Sequence, residues 1–381
     1  MSGVRDGVIK RGATWSFVIR AQDPETGRSR PRWVGGFPTE AAAKAARDEA
    51  RVAARRGEYV DRTRLTVAEY LREWLAVHAV AIKPKTLAGY REDIERYVIP
   101  RLGGQRLQAL RPATLTRFYR DLLESGGRDG RPLSPRTVDH VHRTLRKALG
   151  DAVRVEQLLP SNPAERATRP RGEFVEPADL WTPGELRRFL EAAARHRLGA
   201  FYWLAAYTGA RRGELLALRW TDIDLDGAAV TFAGSTDVIG GRRVDGTTKG
   251  GRSRTISIDA ETAGVLREHR KDQAAERLKA GPLWTGSGLL VFTTETGTAL
   301  YPDTVSALTP TLARRADLTP MRLHDLRHLH ATTLLLAGVP VHVVANRLGH
   351  RDPAITLRVY AHVLREQTTS VAEVFATALR G

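Results

Sequence analysis

Arginine and histidine crowd together in the last sixty residues, in "RLHDLRHLHATTLLL" (322–336), "RLGH" (347–350) and "YAH" (360–362). Six of the eleven histidines fall between 324 and 362. A metal centre is the first chemistry such a cluster suggests, but no H-E-x-x-H pair is present. The nearest carboxylate, Asp325, is interleaved with arginine, and Arg327 would repel a bound cation. Guanidinium among imidazoles suits an anion, and phosphate oxygens match its bidentate fork. His324 and Arg327 lie three apart, so a helix would present them on one face. Singly, each histidine also fits a surface or capping role; the pair in its basic setting favours phosphate.

A second cluster sits in "YTGARRGELLALRW" (207–220), where Gly209 breaks one helix and Arg211 opens the next. An arginine at a helix start faces the positive end of the dipole, so an anion or Glu214, one turn on, must compensate. A phosphate contact and a plain Arg211–Glu214 surface pair both satisfy that demand. A third basic element, "TTKGGRSRTISI" (247–258), places Lys249 in a Gly-rich turn between strands, by itself an ordinary charged hairpin. "DIDLDG" (222–227) imitates a calcium loop, but its twelfth position is Ala233 rather than Glu, so it reads as a polar turn entering a strand.

Together the clusters suggest phosphoryl transfer in which arginines stand in for a metal ion. That chemistry needs a nucleophile, charge neutralisation on the phosphate oxygens and a proton donor for the leaving oxygen. The chain has no cysteine, so the nucleophile is a hydroxyl or a carboxylate. Tyr360, in "TLRVYAHVL" (356–364), suits the task because a phenol of pKa ~10 ionises more readily than an alcohol, and nearby arginines would stabilise the phenolate. It is one of nine tyrosines, however, and alone reads equally well as an aromatic on an amphipathic helix.

The elements that must hold these groups follow from periodicity. Residues 7–37 read as strands, with Trp15, Phe17 and Ile19 alternating against polar positions, followed by an Ala-rich helix capped by Thr39. From residue 66 the pattern is helical: Val67, Tyr70, Leu71, Trp74 and Leu75 share a face, a second helix stops at Pro100 and Gly103–Gly104, and Ser134–Pro135 opens a long one. Thr182 and Glu185 have capping-box spacing at the start of the last segment. Short strands are expected in "AAVTFAG" and "RTISID". The fold class is therefore mainly α with small β elements (α+β). Three domains are expected: a three-stranded sheet plus helix at 1–64, a helical domain at 65–165, and, after a linker at 166–180, a mixed domain at 181–381. In the tail, Val371, Val374, Phe375 and Leu379 have helical spacing.

A formal charge of +17 calls for a polyanionic partner. The excess is spread over the chain: 14 Lys/Arg against 8 Asp/Glu in residues 1–64, and 17 against 12 in 65–165. That distribution suits a protein laid along a duplex better than a membrane-surface helix. Without cysteines, disulfides and thiolate zinc sites are excluded. With no signal core at the start and no apolar run of the ~18–20 residues needed to span a bilayer, the expected setting is a reducing cytosol.

The order of motifs, "TGARRGELLALRW", "TKGGRSRTISI", "LHDLRHLHATTLLL", "LGH" and "ITLRVYAHV", resembles the tyrosine recombinase family, and within it the phage-type integrases. The resemblance implies that Arg211 and Arg327 clamp the scissile phosphate, with Glu214 supporting the first arginine. His324 and His350 would hydrogen-bond and move protons around that phosphate, and Lys249 would protonate the leaving 5′ oxygen. Tyr360 would be the nucleophile, giving a 3′-phosphotyrosyl link with no cofactor and no metal. Residues 1–60 are similar to the arm-binding module of such integrases, and 65–165 to their core-binding domain. Candidate DNA contacts are Arg20, Arg30 and Arg32 in the first and Lys83, Lys85, Arg136 and Arg143 in the second. The implied partners are double-stranded attachment sites, a homo-tetramer on DNA, a host DNA-bending factor and an excisionase, in a bacterial, nucleoid-associated setting. A type IB topoisomerase and a DNA-binding regulator with an inert site are the other readings.

Overall fold

A computed structural model describes residues 7–22, 29–55, 59–169, 180–248 and 250–350, with 352, 354, 357, 379 and 380 beyond them. Lys249 and Tyr360 lie outside the described residues, as do Val371, Val374 and Phe375 of the tail. The chain divides between Phe174 and Val175 into two compact units.

The first unit begins with an antiparallel sheet of order β1-β2-β3, formed by Val8–Arg11, Thr14–Gln22 and Ser29–Phe37, backed by helix α1 (Glu40–Arg55). Thr39 caps α1, its Oγ1 accepting from the Ala42 amide at 3.2 Å. Alternation puts Phe17 and Ile19 of β2 on the face that meets Val34, Phe37 and Ala43, giving a small core of its own. The opposite face leaves Arg20 in solvent, and Trp33 half exposed with Arg11 stacked 4.0 Å over its ring.

Helices follow: α2 (Val67–His78), α3 (Pro84–Glu92), a π-helical turn (Asp93–Val98), α4 (Ile99–Leu102), α5 (Pro112–Ser125), α6 (Pro135–Arg154) and the short α7 (Pro163–Arg166). All five apolar positions of α2 singled out by spacing are buried. Ser134 caps α6 by accepting from the Thr137 amide. Of the expected stop at Pro100 and Gly103–Gly104, the glycine half holds: the helical path runs through Pro100 and ends at Leu102, with Gly103 at the C-cap. The wider π turn just ahead loosens the ladder where proline's missing N–H and ring would otherwise break an α-helix.

The second unit comprises α8 (Pro183–Ala194), α9 (Gly199–Thr208), α10 (Arg212–Ala217), strands β4 (Ile223–Asp224), β5 (Ala229–Phe232), β6 (Gly234–Ile239), β7 (Arg242–Thr247) and β8 (Arg254–Ser257), then α11 (Ala260–Ala280), α12 (Pro302–Arg315), α13 (Asp325–Leu336) and α14 (Val341–Leu348). The Thr182–Glu185 capping box opens α8 with both reciprocal bonds. Helix α9 is apolar on all sides and accordingly central, burying Phe201, Tyr202, Leu204 and Ala205 among Phe189, Phe232, Leu266 and Phe292.

Phe232 pairs with Arg254 across β5–β8, and Gly234 with Thr247 across β6–β7. The two pairs belong to separate sheets, and β6 and β7 turn at Gly240–Gly241. Between β7 and β8 the Gly251 amide donates to the Thr248 carbonyl and Thr248 Oγ1 to the Arg252 carbonyl, at 2.9 and 2.7 Å.

Candidate active site

Three chain segments far apart in sequence meet at the C-terminal end of α14. The last carbonyls of any α-helix lack partners within the helix, and the dipole makes them negative. Here three arginines take three consecutive ones. Arg254 Nε donates to the Arg347 carbonyl at 2.9 Å, Arg327 Nη2 to that of Leu348 at 2.8 Å, and Arg211 Nη2 to that of Gly349 at 3.4 Å. His350 is the next residue, so the arginines surround it.

Two glycines make this approach possible. Gly349 ends α14 at φ +68°, and a Cβ there would come within 2.9 Å of Arg254 Nη1. Gly209 ends α9 at φ +61°, where a Cβ would meet Leu348 and His330. Its carbonyl receives Arg327 Nη1 at 2.7 Å, so the second arginine ties the ends of α9 and α14 together. Arg327 lies in the first turn of α13 and is buried.

Glu214 resolves the unfavourable placement of Arg211. Its carboxylate accepts from the Arg211 amide at 2.9 Å and from Arg211 Nη1 at 3.0 Å, closing the start of α10. Arg254 approaches the same carboxylate as a fork, Nη1 to Oε1 at 3.1 Å and Nη2 to Oε2 at 2.7 Å. The Glu214 side chain is fully buried. Burial by itself would raise its pKa, but the bonds and charge of Arg254, then those of Arg211, outweigh that and hold it below the usual carboxylate range. The acid is thus an anion carrying two cations, and the cluster keeps a net positive charge.

The histidines separate into two kinds. His324 directly precedes α13, with its ring 5.0 Å from that of His328 in an edge-on arrangement. Its pKa is lowered to about 4 by the crowding of the ring, then by the charges of His328, Arg327 and Arg211, although the residue as a whole is exposed to solvent. His350 is lowered to about 4 as well, by burial and then by Arg327, Arg211 and Arg254. Both imidazoles are neutral at pH 7 and stand beside the same guanidinium groups. His330 is different. Its Nδ1 lies 2.9 Å from the Ala206 carbonyl, and Arg347 Nε donates to its Nε2 at 3.1 Å. Only the neutral Nδ1–H tautomer satisfies both contacts, so this ring is a structural strut.

The residues singled out from sequence thus fall into groups. Arg211, Glu214, His324, Arg327 and His350 are brought together. Lys249 and Tyr360 lie outside the described residues; upstream of Tyr360, Asp352 Oδ1 accepts from the Ala354 amide at 2.9 Å, in the manner of a helix cap. Asp325 is claimed by Arg322, at 2.8 and 3.1 Å. Among the described residues no group of three His, Cys, Asp or Glu could hold a metal, and no helix is long and apolar enough to cross a membrane. In the first unit Arg20, Arg30, Lys83, Lys85, Arg136 and Arg143 are exposed; Arg143 faces Asp139 at 2.6 Å and Arg32 faces Asp61 at 3.5 Å. Arg254 does not stand out in the sequence because it is one of two arginines in its motif. The available signal was its place at the entry to a strand.

The profile of the phage integrase family matches residues 181–367, and that of the phage integrase N-terminal SAM-like domain matches residues 66–123. A XerC-like tyrosine recombinase from Caldanaerobacter subterraneus is 29% identical over 354 residues, covering 88% of this chain and 89% of that protein. The Tn1549 transposon integrase, solved in complex with transposon right-end DNA, superposes with a TM-score of 0.67 at 18% identity, covering 81% of this chain and 99% of that one. The lambda integrase, solved as a tetramer bound to a Holliday junction, gives 0.58 at 18% identity and covers 94% of this chain and 96% of that one. The solved structures share the fold; the two profiles and the relatives carry the family. With its motifs in family order and its arginines converged on one helix end, this chain belongs to the phage integrase family of tyrosine recombinases.

Proposed function

We infer that the chain is a site-specific DNA recombinase that integrates or excises a mobile element. The observation that carries this reading is the convergence of Arg211 and Arg327, backed by Arg254, on one helix end beside two neutral histidines, a net positive cluster suited to an anion such as a phosphodiester.

In the mechanism we propose, Arg211 and Arg327 bind the non-bridging oxygens of the scissile phosphate. Tyr360 attacks phosphorus, and its phenol proton passes to a neutral imidazole, His324 or His350. The bond from phosphorus to the 5′ oxygen breaks, and Lys249 gives that oxygen a proton, leaving a free 5′ hydroxyl and a 3′-phosphotyrosyl link. A 5′ hydroxyl from the second duplex then attacks the link, releases Tyr360 and rejoins the strand. Each step exchanges one phosphate ester for another, so no external energy source is required. The charge-neutralising part is of the kind worth about 10²–10³-fold per preorganised donor.

The rest of the chain supplies address. Three modules are proposed: 1–64 reading arm-type sites, with Arg20, Arg30 and Arg32 as contacts; 65–165 holding the core site through Lys83, Lys85, Arg136 and Arg143; and 181–381 cutting. A homo-tetramer on two duplexes, assisted by a DNA-bending factor and an excisionase, at work on a bacterial nucleoid, completes the proposal. The separate cores of the sheet module and the helical bundle favour this over a topoisomerase, which needs no sequence reading.

The test is covalent capture on a randomised duplex library, followed by single-turnover cleavage of a nicked suicide duplex carrying the recovered crossover site. Wild type should form a denaturant-resistant adduct in the presence of a chelator, and Tyr360→Phe should form none. An adduct that survives Tyr360→Phe removes the nucleophile assignment. Adducts without any recovered sequence preference favour a topoisomerase, and no adduct at all favours a regulator.

A further inference from the structure

Arg254 is committed on every side. Its three nitrogens donate to Glu214 Oε1, Glu214 Oε2 and the Arg347 carbonyl, at 3.1, 2.7 and 2.9 Å. Its guanidinium carbon lies 4.8 Å over the Phe232 ring, and its side chain is only 10% exposed. Held in this way against Glu214 and the end of α14, it is placed to act on the reaction through them.

Two consequences follow from where those bonds end. Glu214 also receives Arg211, through the amide and Nη1. With Arg254 present, the carboxylate carries two cations and the trio has net charge +1. Without it, Arg211 and Glu214 would form a closed neutral pair, with the guanidinium drawn toward the acid and away from an anion. The Arg347 carbonyl begins the turn whose next two carbonyls hold Arg327 and Arg211 and whose following residue is His350. Arg254 is also the first residue of β8.

We propose that Arg254 is a positioning residue for strand cleavage, which takes up the charge of Glu214 so that Arg211 stays available to the phosphate and which pins the turn carrying His350. This rests on the reading that Arg211 and Arg327 clamp the scissile phosphate. Lysine cannot replace Arg254, because one ammonium nitrogen cannot span two carboxylate oxygens and a carbonyl at once.

Single-turnover cleavage of the nicked suicide duplex tests the proposal, with thermal melting and crossover-site binding measured alongside. Arg254→Lys and Arg254→Met should slow cleavage roughly 10²-fold, the scale expected when a reacting group is misplaced. Adding Glu214→Gln to Arg254→Met should recover part of the rate, because the acid no longer competes for Arg211. The defect should also shrink on a duplex with a methylphosphonate at the scissile position, whose phosphate centre carries no charge for Arg211 to neutralise. If Arg254→Met alone does not fold, the double variant and Arg254→Lys carry the comparison. Folded variants that cleave at the wild-type rate overturn the proposal. So does a double variant no faster than Arg254→Met, or a defect unchanged on methylphosphonate, since a packing role predicts both. Wild type that forms no adduct would instead overturn the recombinase reading on which the proposal rests.

Discussion

Asp151 in the first unit and Glu214 in the second are both buried among cations, and the two arrangements differ in where the cations lead. In the first unit Asp151 of α6 accepts from Trp74 Nε1 at 3.0 Å and Lys147 Nζ at 2.7 Å, with His78 at 3.3 Å. The Lys147 side chain is 45% exposed, so its charge stays hydrated while the acid fixes the packing of α2 on α6. In the second unit Glu214 is held by Arg211 and Arg254, whose side chains are 24% and 10% exposed. There the cations are withdrawn from water along with the acid, and only bidentate geometry offsets the desolvation. An acid that serves packing leaves its cations in solvent; an acid that serves a site fixes theirs.

Breaking that contrast should show first at Glu214. Glu214→Gln strands two buried guanidinium groups, and removing one member of such a buried cluster costs about 3–5 kcal/mol; cleavage should be lost with it. Asp151→Asn keeps an acceptor for Trp74 and leaves Lys147 in water, costing about 1 kcal/mol with no change in cleavage rate. Urea unfolding and single-turnover cleavage of both variants make the comparison, and equal costs would remove the distinction.

A smaller effect sharpens the same point through pH. His330 is lowered to about 4, first by burial and then by Arg347. Its folded value lies below its unfolded one, so between roughly pH 6.5 and 4 the unfolded chain binds more protons. Stability is therefore full at neutral pH and declines as pH falls through that window, by on the order of 1–2 kcal/mol at pH 5 for this ring. His330→Gln, able to donate to Ala206 and accept from Arg347, should remove that part of the slope in melts taken from pH 7 to pH 5. An unchanged slope would assign it to other groups.

The smallest stability effect belongs to the exposed pairs. Arg143, 72% exposed beside Asp139, should change stability by less than about 0.5 kcal/mol on replacement by alanine. If it meets a phosphate, Arg143→Ala should lower the slope of log affinity against log salt by about 1. An unaltered slope would strike it from the DNA contacts.

Much of the scaffold was legible because its signals are local. Thr39, Ser134 and Thr182 cap helices within three residues of themselves, and the buried face of α2 repeats at helical spacing. The errors arose where a neighbouring element overrode a local rule. Pro100 ended a helix by its own chemistry, yet a π turn ahead of it let the path continue. Strands β6 and β7 went unread because "GSTDVI" and "RRVDGT" are polar and glycine-bearing; they are strands by pairing with each other and packing on α10. The helical register that brought His324 and Arg327 together could be read directly, whereas the fixed tautomer of His330 could not, since Ala206 lies 124 residues away.

The sequence by itself determined the α+β class, the helix starts, the basic character of every region and the set of residue types that phosphoryl transfer requires. Each of these depends on composition or on spacing within a few residues, where backbone geometry makes the outcome predictable. Tertiary structure decided that three arginines from 211, 254 and 327 end on the carbonyls of 347, 348 and 349. It also decided that Glu214 is shared between two of them. Unpaired carbonyls at a helix end must be satisfied, but which donors reach them depends on how segments up to 138 residues apart are packed.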